Sequence, residues 1–422
     1  MENIKISVKD ISLFDYLFKT ERGKKNGLAV IIAGFSAMFC FMGYELFRTS
    51  SESIFLSVFD STQKVYALGA TPFLLFALIY LYGFSLSKFG SRNTMLLYFT
   101  FSFISNIFLY FFVSKKYIWA AFLILVFKEA YVVVLSEMYW SYINSILKSY
   151  EAKLLNGPVA GLGACGSLIG GYFVSKYAVM LTTEKIFLIS SFILIPSAVL
   201  FFFSYKTGGE PVVDKSEAGG KKGHIHISLL FENKIVLLIA IVVFIAQVVS
   251  TLSDLNFTYY LSKEISQKDL RTAYLGAFWT KTNIISFTMQ FLITPFVLKR
   301  FNVKYVLVII PLFHLVTSAY SLFYPSLLSA SIIFMIFKSM DYSIYRASKE
   351  ILYIPFSYDT RYRIKQVVDA FIYRFSKGFI SIILSLIARF SFSYIAYLIP
   401  SIMFFSGVWS YVATKFKVKE IQ

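Results

Sequence analysis

The chain has 422 residues, of which 57% are hydrophobic and 15% charged, and its mean hydropathy is +0.68. Soluble domains carry roughly 25% charged residues, so this composition excludes a soluble globular protein and assigns most of the chain to a lipid bilayer. The net charge of +18 is accounted for by Lys and Arg gathered in cytoplasmic loops, without a nucleic-acid partner.

The chain opens on a polar and amphipathic stretch, residues 1–26, and no cleavable signal peptide is expected from it. Within it, Ile11–Leu17 suits a membrane surface but is too short to cross. A span needs about 20 mainly apolar residues. Six candidates follow in the first half: Gly27–Phe47, Ala67–Leu86, Thr94–Val113, Ile118–Ile146, Pro158–Met180 and Ile186–Phe203. A Gly-, Lys- and acid-rich linker, Lys206–Lys234, then separates them from six more: Ile235–Phe257, Thr272–Leu298, Val303–Tyr324, Ser326–Ile354, Lys365–Ala388 and Ser391–Thr414. The expected organisation is a cytoplasmic segment 1–26, a six-helix half 27–205, a linker 206–234, a second half 235–414 and a tail 415–422. With both termini inside, cytoplasmic segments collect about two dozen Lys and Arg and the other side roughly ten, the positive-inside asymmetry. Cys40 and Cys165 lie in apolar runs, and His224, His226 and His314 show no ligand spacing. Neither a metal site nor a cofactor motif is expected, and no catalytic constellation appears, so an enzyme is not expected either.

Two landmarks recur at one offset. Lys88-Phe-Gly-Ser-Arg92 is followed about 212 residues later by Arg300-Phe-Asn-Val-Lys304, and Val126-Phe-Lys128 about 210 later by Ile336-Phe-Lys338. This agreement predicts an all-α membrane protein of about twelve transmembrane helices in two related halves. The stretch Gly83-Phe-Ser-Leu-Ser-Lys88-Phe-Gly90-Ser-Arg92 resembles the loop motif of the major facilitator superfamily, with Ser87 at the usual Asp. That resemblance implies the superfamily's fold.

Ionisable residues inside spans are costly and mark function by default. Glu45 and Arg48 lie in and just after the first span, Lys128, Glu129 and Glu137 in the fourth, Asp254 in the seventh and Lys281 in the eighth. The tenth carries Lys338, Asp341, Arg346, Lys349 and Glu350, and the eleventh Asp369, Arg374 and Lys377. Lys338, Asp341, Tyr345 and Lys349 recur at helical steps and should form one stripe. Arg374 and Lys377, one turn apart, suit a phosphate or carboxylate; the alternative is that such cations neutralise Asp341, Asp369 and Glu350 in interhelical pairs. Six glycines of the fifth span, Gly157, Gly161, Gly163, Gly166, Gly170 and Gly171, suggest close helix packing. Trp140 and Trp279 suit either packing or stacking on a ligand ring.

The segment Ser348–Gly378, with Lys349-Glu-Ile-Leu-Tyr-Ile-Pro355, Asp369 and Lys377, resembles the ATP/ADP translocase family of intracellular bacteria and plastids. Trp140-Ser-Tyr-Ile-Asn144 followed by Glu151-Ala-Lys153, and Leu46-Phe-Arg48-Thr-Ser-Ser-Glu52, are similar to two further elements of that family. Ser51 stands where the family has a lysine. The resemblance implies a nucleotide carrier, and the expected setting is a monomer in a bacterial inner membrane. On this reading Arg48, Lys281, Lys349, Tyr353, Arg374, Lys377 and Trp140 contact a small anionic substrate such as ATP or ADP. Glu45, Glu129, Glu137, Asp341, Glu350 and Asp369 serve coupling or gating. The alternatives are a proton-coupled carrier of another organic anion (a metabolite or siderophore) and a non-transporting membrane sensor.

Overall fold

The computed structural model describes residues 13–210, 233–356, 368, 372–389 and 394–416, and among these there is no strand. Fourteen α-helices are numbered here in chain order. A short α1 (Leu13–Lys19) precedes α2 (Leu28–Val58), α3 (Lys64–Ser114), α4 (Ile118–Ile146), α5 (Ser149–Leu181) and α6 (Thr183–Gly208). After the linker come α7 (Lys234–Glu264), α8 (Lys268–Thr288), α9 (Thr294–Arg300) and α10 (Val303–Phe323). The last four are α11 (Leu327–Met340), α12 (Arg346–Leu352), α13 (Tyr373–Arg389) and α14 (Ile395–Thr414). Among the described residues nine helical segments are long and apolar enough to cross a membrane. One of these, Ser61–Ser114, holds two of the expected spans. The expected eighth span is realised as α8, a π-helical turn at Met289–Ile293, and α9. Of the eleventh, only Val368 and the residues from Ile372 onward are described.

Large apolar side chains face outward, as a bilayer permits and water does not. Along α3, Phe73, Phe76 and Tyr80 are 70%, 74% and 69% exposed, on one face of the helix. This all-helical chain is an integral membrane protein.

Gly90 breaks α3 where its two spans meet, with φ of 77° and ψ of 171°. Only glycine adopts that backbone cheaply, and a Cβ there would also stand 2.6 Å from Glu210 Oε1. The same carboxylate oxygen accepts from Arg92 N at 3.2 Å. The position 212 residues later, Asn302, has φ of −62° and instead caps α10 by accepting from Lys304 N at 3.0 Å.

The described residues fall into two compact units. One draws on Met1–Phe55, Leu74–Gly219 and Thr272–Thr280, the other on Leu56–Phe73, Gly220–Arg271 and Lys281–Gln422. In the first unit, α2 and α5 pack backbone to backbone: a Cβ on Gly166 would collide with Met38 O, and one on Gly170 would lie 2.6 Å from Met42 O. Further along, a Cβ on Gly276 would stand 2.5 Å from Ser175 N. Small residues allow such close crossings where no hydrophobic force separates helix from lipid. The chain before α2 is clamped by Arg22, whose Nε and Nη2 donate to the two carboxylate oxygens of Glu151 at 2.8 and 3.0 Å. That bond holds the Arg22 guanidinium even more firmly protonated than usual. In the second unit, α7 is the spine: 72% of its most apolar window is buried. Its long apolar run, Ile235–Ala246, is buried by α11, α13 and α14, which pack around the helix.

Candidate functional site

Each unit buries its own set of charges. In the first, Glu45, Arg48 and Glu52 lie at steps of three and four on α2 and so share one face. All three are buried. An Arg48 Nη2 donates to the Glu45 carboxylate, and the Arg48 guanidinium lies 3.4 Å from the centre of the Trp279 ring and 5.3 Å from that of Tyr44. A planar cation stacked on indole and held by a carboxylate is fixed in both position and orientation. One turn along, Lys128 of α4 donates to Glu52 at 3.3 Å and pairs with Glu129 at 3.0 Å. These pairs join Glu45, Glu52 and Glu129 to Arg48 and Lys128.

In the second unit, Ser250, Asp254 and Thr258 mark a polar face on α7. Lys64, 1% exposed, donates to Asp254 Oδ1 at 2.9 Å and to Thr258 Oγ1 at 2.7 Å. Lys338 of α11 donates to Ser250 at 3.1 Å, with the rings of Phe334, Phe337 and Tyr342 centred 5.5–5.7 Å from its ammonium. Asp341 is buried, and its Oδ2 has no hydrogen-bond partner among the described residues. A buried acid–base network of this kind costs desolvation energy and rarely adds stability over apolar packing. Its presence within membrane spans points to a polar path or ligand.

The remaining candidates scatter in exposure. In the first unit Glu129 is half-buried, while Glu137 and Trp140 are exposed. In the second, Lys349 and Lys377 are half-buried, Tyr353 is fully buried, and Lys281, Arg346 and Glu350 are exposed. Asp369 and the side chain of Arg374 lie outside the described residues. The stripe expected from Lys338 to Lys349 is interrupted, because Asp341–Tyr345 forms a π-helical turn. Its i→i+5 bonds change the residues per turn, so α-helical spacing does not carry through from Lys338 to Lys349.

Sequence reasoning missed Lys64 and did not count Glu52, Lys128, Lys338 or Asp254 among the site residues. Lys64 reads as a turn residue ahead of an apolar run; the available signal was that a lone cation opens a span whose next charge is Lys88. Trp279, taken as either packing or a ligand platform, stacks instead on Arg48.

No protein-family model matches the chain, and no curated protein matches its sequence. Solved structures do match in shape. The nucleoside transporter NupG shares 17% identity, with 93% of this chain and 100% of that chain covered and a TM-score of 0.63. A D-xylose–proton symporter shares 14%, covering 93% and 98% with a TM-score of 0.66. A POT family peptide transporter shares 10%, covering 92% and 97% with a TM-score of 0.64. At such identities the likeness establishes the fold, which is major facilitator-like.

Proposed function

We propose that this chain is a secondary transporter that moves a small anionic solute, most concretely a nucleotide, by alternating access across a bacterial inner membrane. The observation that carries the reading is the pair of buried charge networks, one per unit, in a fold that its nucleoside, sugar and peptide transporting neighbours share. Arg48 and Lys128 are balanced by Glu45, Glu52 and Glu129, so the phosphate-binding role falls chiefly to the second unit. There Lys281, Lys338, Lys349, Arg374 and Lys377 outnumber Asp341, Glu350 and Asp369. Ser51, in place of the lysine that the translocase family carries, favours transport of a nucleotide over strict ATP/ADP exchange.

The test is competition in proteoliposomes. ATP is expected to inhibit uptake of labelled ADP strongly, and adenosine to inhibit it at least tenfold less. Equal inhibition by both would rule out a phosphate-binding site. A second reading, proton-coupled transport of another organic anion, is favoured by the gathering of three titratable carboxylates, Glu45, Glu52 and Glu129, in the first unit. It predicts uptake that collapses with a protonophore, and inhibition by organic acids rather than by nucleotides.

Both termini are placed on the cytoplasmic side in this reading. In a C40S/C165S background, Lys116→Cys is expected to react with an impermeant maleimide on intact cells, and Lys299→Cys only after lysis. Labelling of both on intact cells would overturn the orientation, since Lys116 follows α3 and Lys299 closes α9.

A further inference from the structure

The second unit holds a cavity that the charge networks do not use. It has a volume of about 540 Å³ and lies where the turn after α2, the last turns of α7 and α10, and the first turns of α14 come together. Asn256, Tyr259 and Tyr260 line it from α7, at steps of three and four along one helical face. Ser250, Asp254 and Thr258 mark a different face of that helix, so α7 serves two separate sites.

The cavity is built rather than incidental. Asp60 Oδ1 accepts from Thr62 N at 2.8 Å and from Thr62 Oγ1 at 2.7 Å, which fixes the turn. Tyr394 OH donates to Thr62 O at 2.8 Å and ties that turn to the start of α14. Asp60 itself lines the cavity. Asn256 is 2% exposed, and its Nδ2 has no partner among the described residues. Leaving such a buried donor unmade costs about 1–3 kcal/mol, so the position is better explained by a ligand that accepts from it. Tyr259 and Tyr260 stand at 79° to one another with ring centres 5.2 Å apart, and Ile399 adds an apolar wall.

Chemistry narrows the occupant. The single charge in the lining is the Asp60 carboxylate, which disfavours an anion. Lys263 already stands 5.7 Å from the Tyr259 ring centre, which disfavours a second cation there. A neutral hydroxylated ring meets every remaining requirement. Its hydroxyls donate to Asp60 and accept from Asn256, while its C–H face lies on tyrosine. We infer that this cavity is a binding site for a monosaccharide-sized polyol, distinct from the site of the transported anion.

The test is calorimetric titration of the purified full-length protein with D-glucose, D-ribose, choline and inorganic phosphate. One or both sugars should bind. Asp60→Asn keeps the oxygen that caps the turn and removes the charge; Asn256→Leu keeps the shape and removes the donor. Each should weaken sugar binding about tenfold, in line with loss of one hydrogen bond, whereas Lys349→Gln should not. The thermal midpoint of each variant, measured alongside, should stay near that of the parent. Absence of any sugar binding to the parent would overturn the inference. So would choline binding that depends on Asp60 without sugar binding, or sugar binding that Lys349→Gln removes and Asp60→Asn spares. Failure of the ADP uptake assay leaves this result untouched, because the titration reads binding alone.

Discussion

Replacing Lys64 with alanine is expected to remove most of the folded protein from the membrane. Lys64 is buried, and its ammonium is held by Asp254 and Thr258 of α7, the spine of its unit. Truncation leaves the Asp254 carboxylate without that cation, 18% exposed. Breaking a buried pair from one side costs about 3–5 kcal/mol, a large share of the roughly 5–15 kcal/mol that holds a typical domain folded. The double change Lys64→Met with Asp254→Leu removes both charges and keeps the volume. It should return membrane abundance to near the parent level while transport stays lost. Transport recovered along with abundance would show that the pair is purely architectural.

The glycines of α5 should divide into two classes under substitution. Gly166→Leu is expected to abolish folded protein, because even a Cβ there collides with the Met38 carbonyl of α2, and backbone cannot move aside as a side-chain tip can. Gly157→Ala and Gly161→Ala should be neutral or slightly stabilising, since nothing lies within 4 Å of either Cβ position. In a helix interior alanine is favoured over glycine by about 1 kcal/mol. Abundance after membrane extraction and a thermal midpoint would separate the classes. Similar losses at Gly157 and Gly166 would contradict the packing described for α2 and α5.

That division marks one limit of what the sequence discloses. The spacing of six glycines announced a close crossing, but not that Gly166, Gly170 and Gly171 meet neighbours while Gly157 and Gly161 face open space. Long apolar runs made the helices legible, because burial in lipid demands a continuous stretch whatever its partners. Pairings were not legible. Lys64 meets Asp254 across 190 positions, and nothing local to either residue names the other. Arg48 and Trp279 each drew attention separately, yet their stacking depends on how α8 returns to α2 within the first unit. The π-helical turn at Asp341–Tyr345 leaves no mark in composition, so a stripe drawn on α-helical spacing ran through it. Hydrophobic period reports which face is apolar, and partner choice at polar positions is a tertiary matter.

The bend at Gly90 also bears on the history of the chain. A left-handed residue with a carboxylate at its missing Cβ admits a single amino acid, so drift there is closed. A side chain would cost about 1–3 kcal/mol in backbone sterics alone, before its clash with Glu210. At the position 212 residues later, Asn302 keeps an ordinary backbone and serves as a helix cap, a task that serine, threonine or aspartate performs equally well. The two turns, 212 residues apart, thus differ in how much variation they allow. Among descendants of this gene, the glycine at position 90 is the one that will persist, while position 302 is free to vary among capping residues.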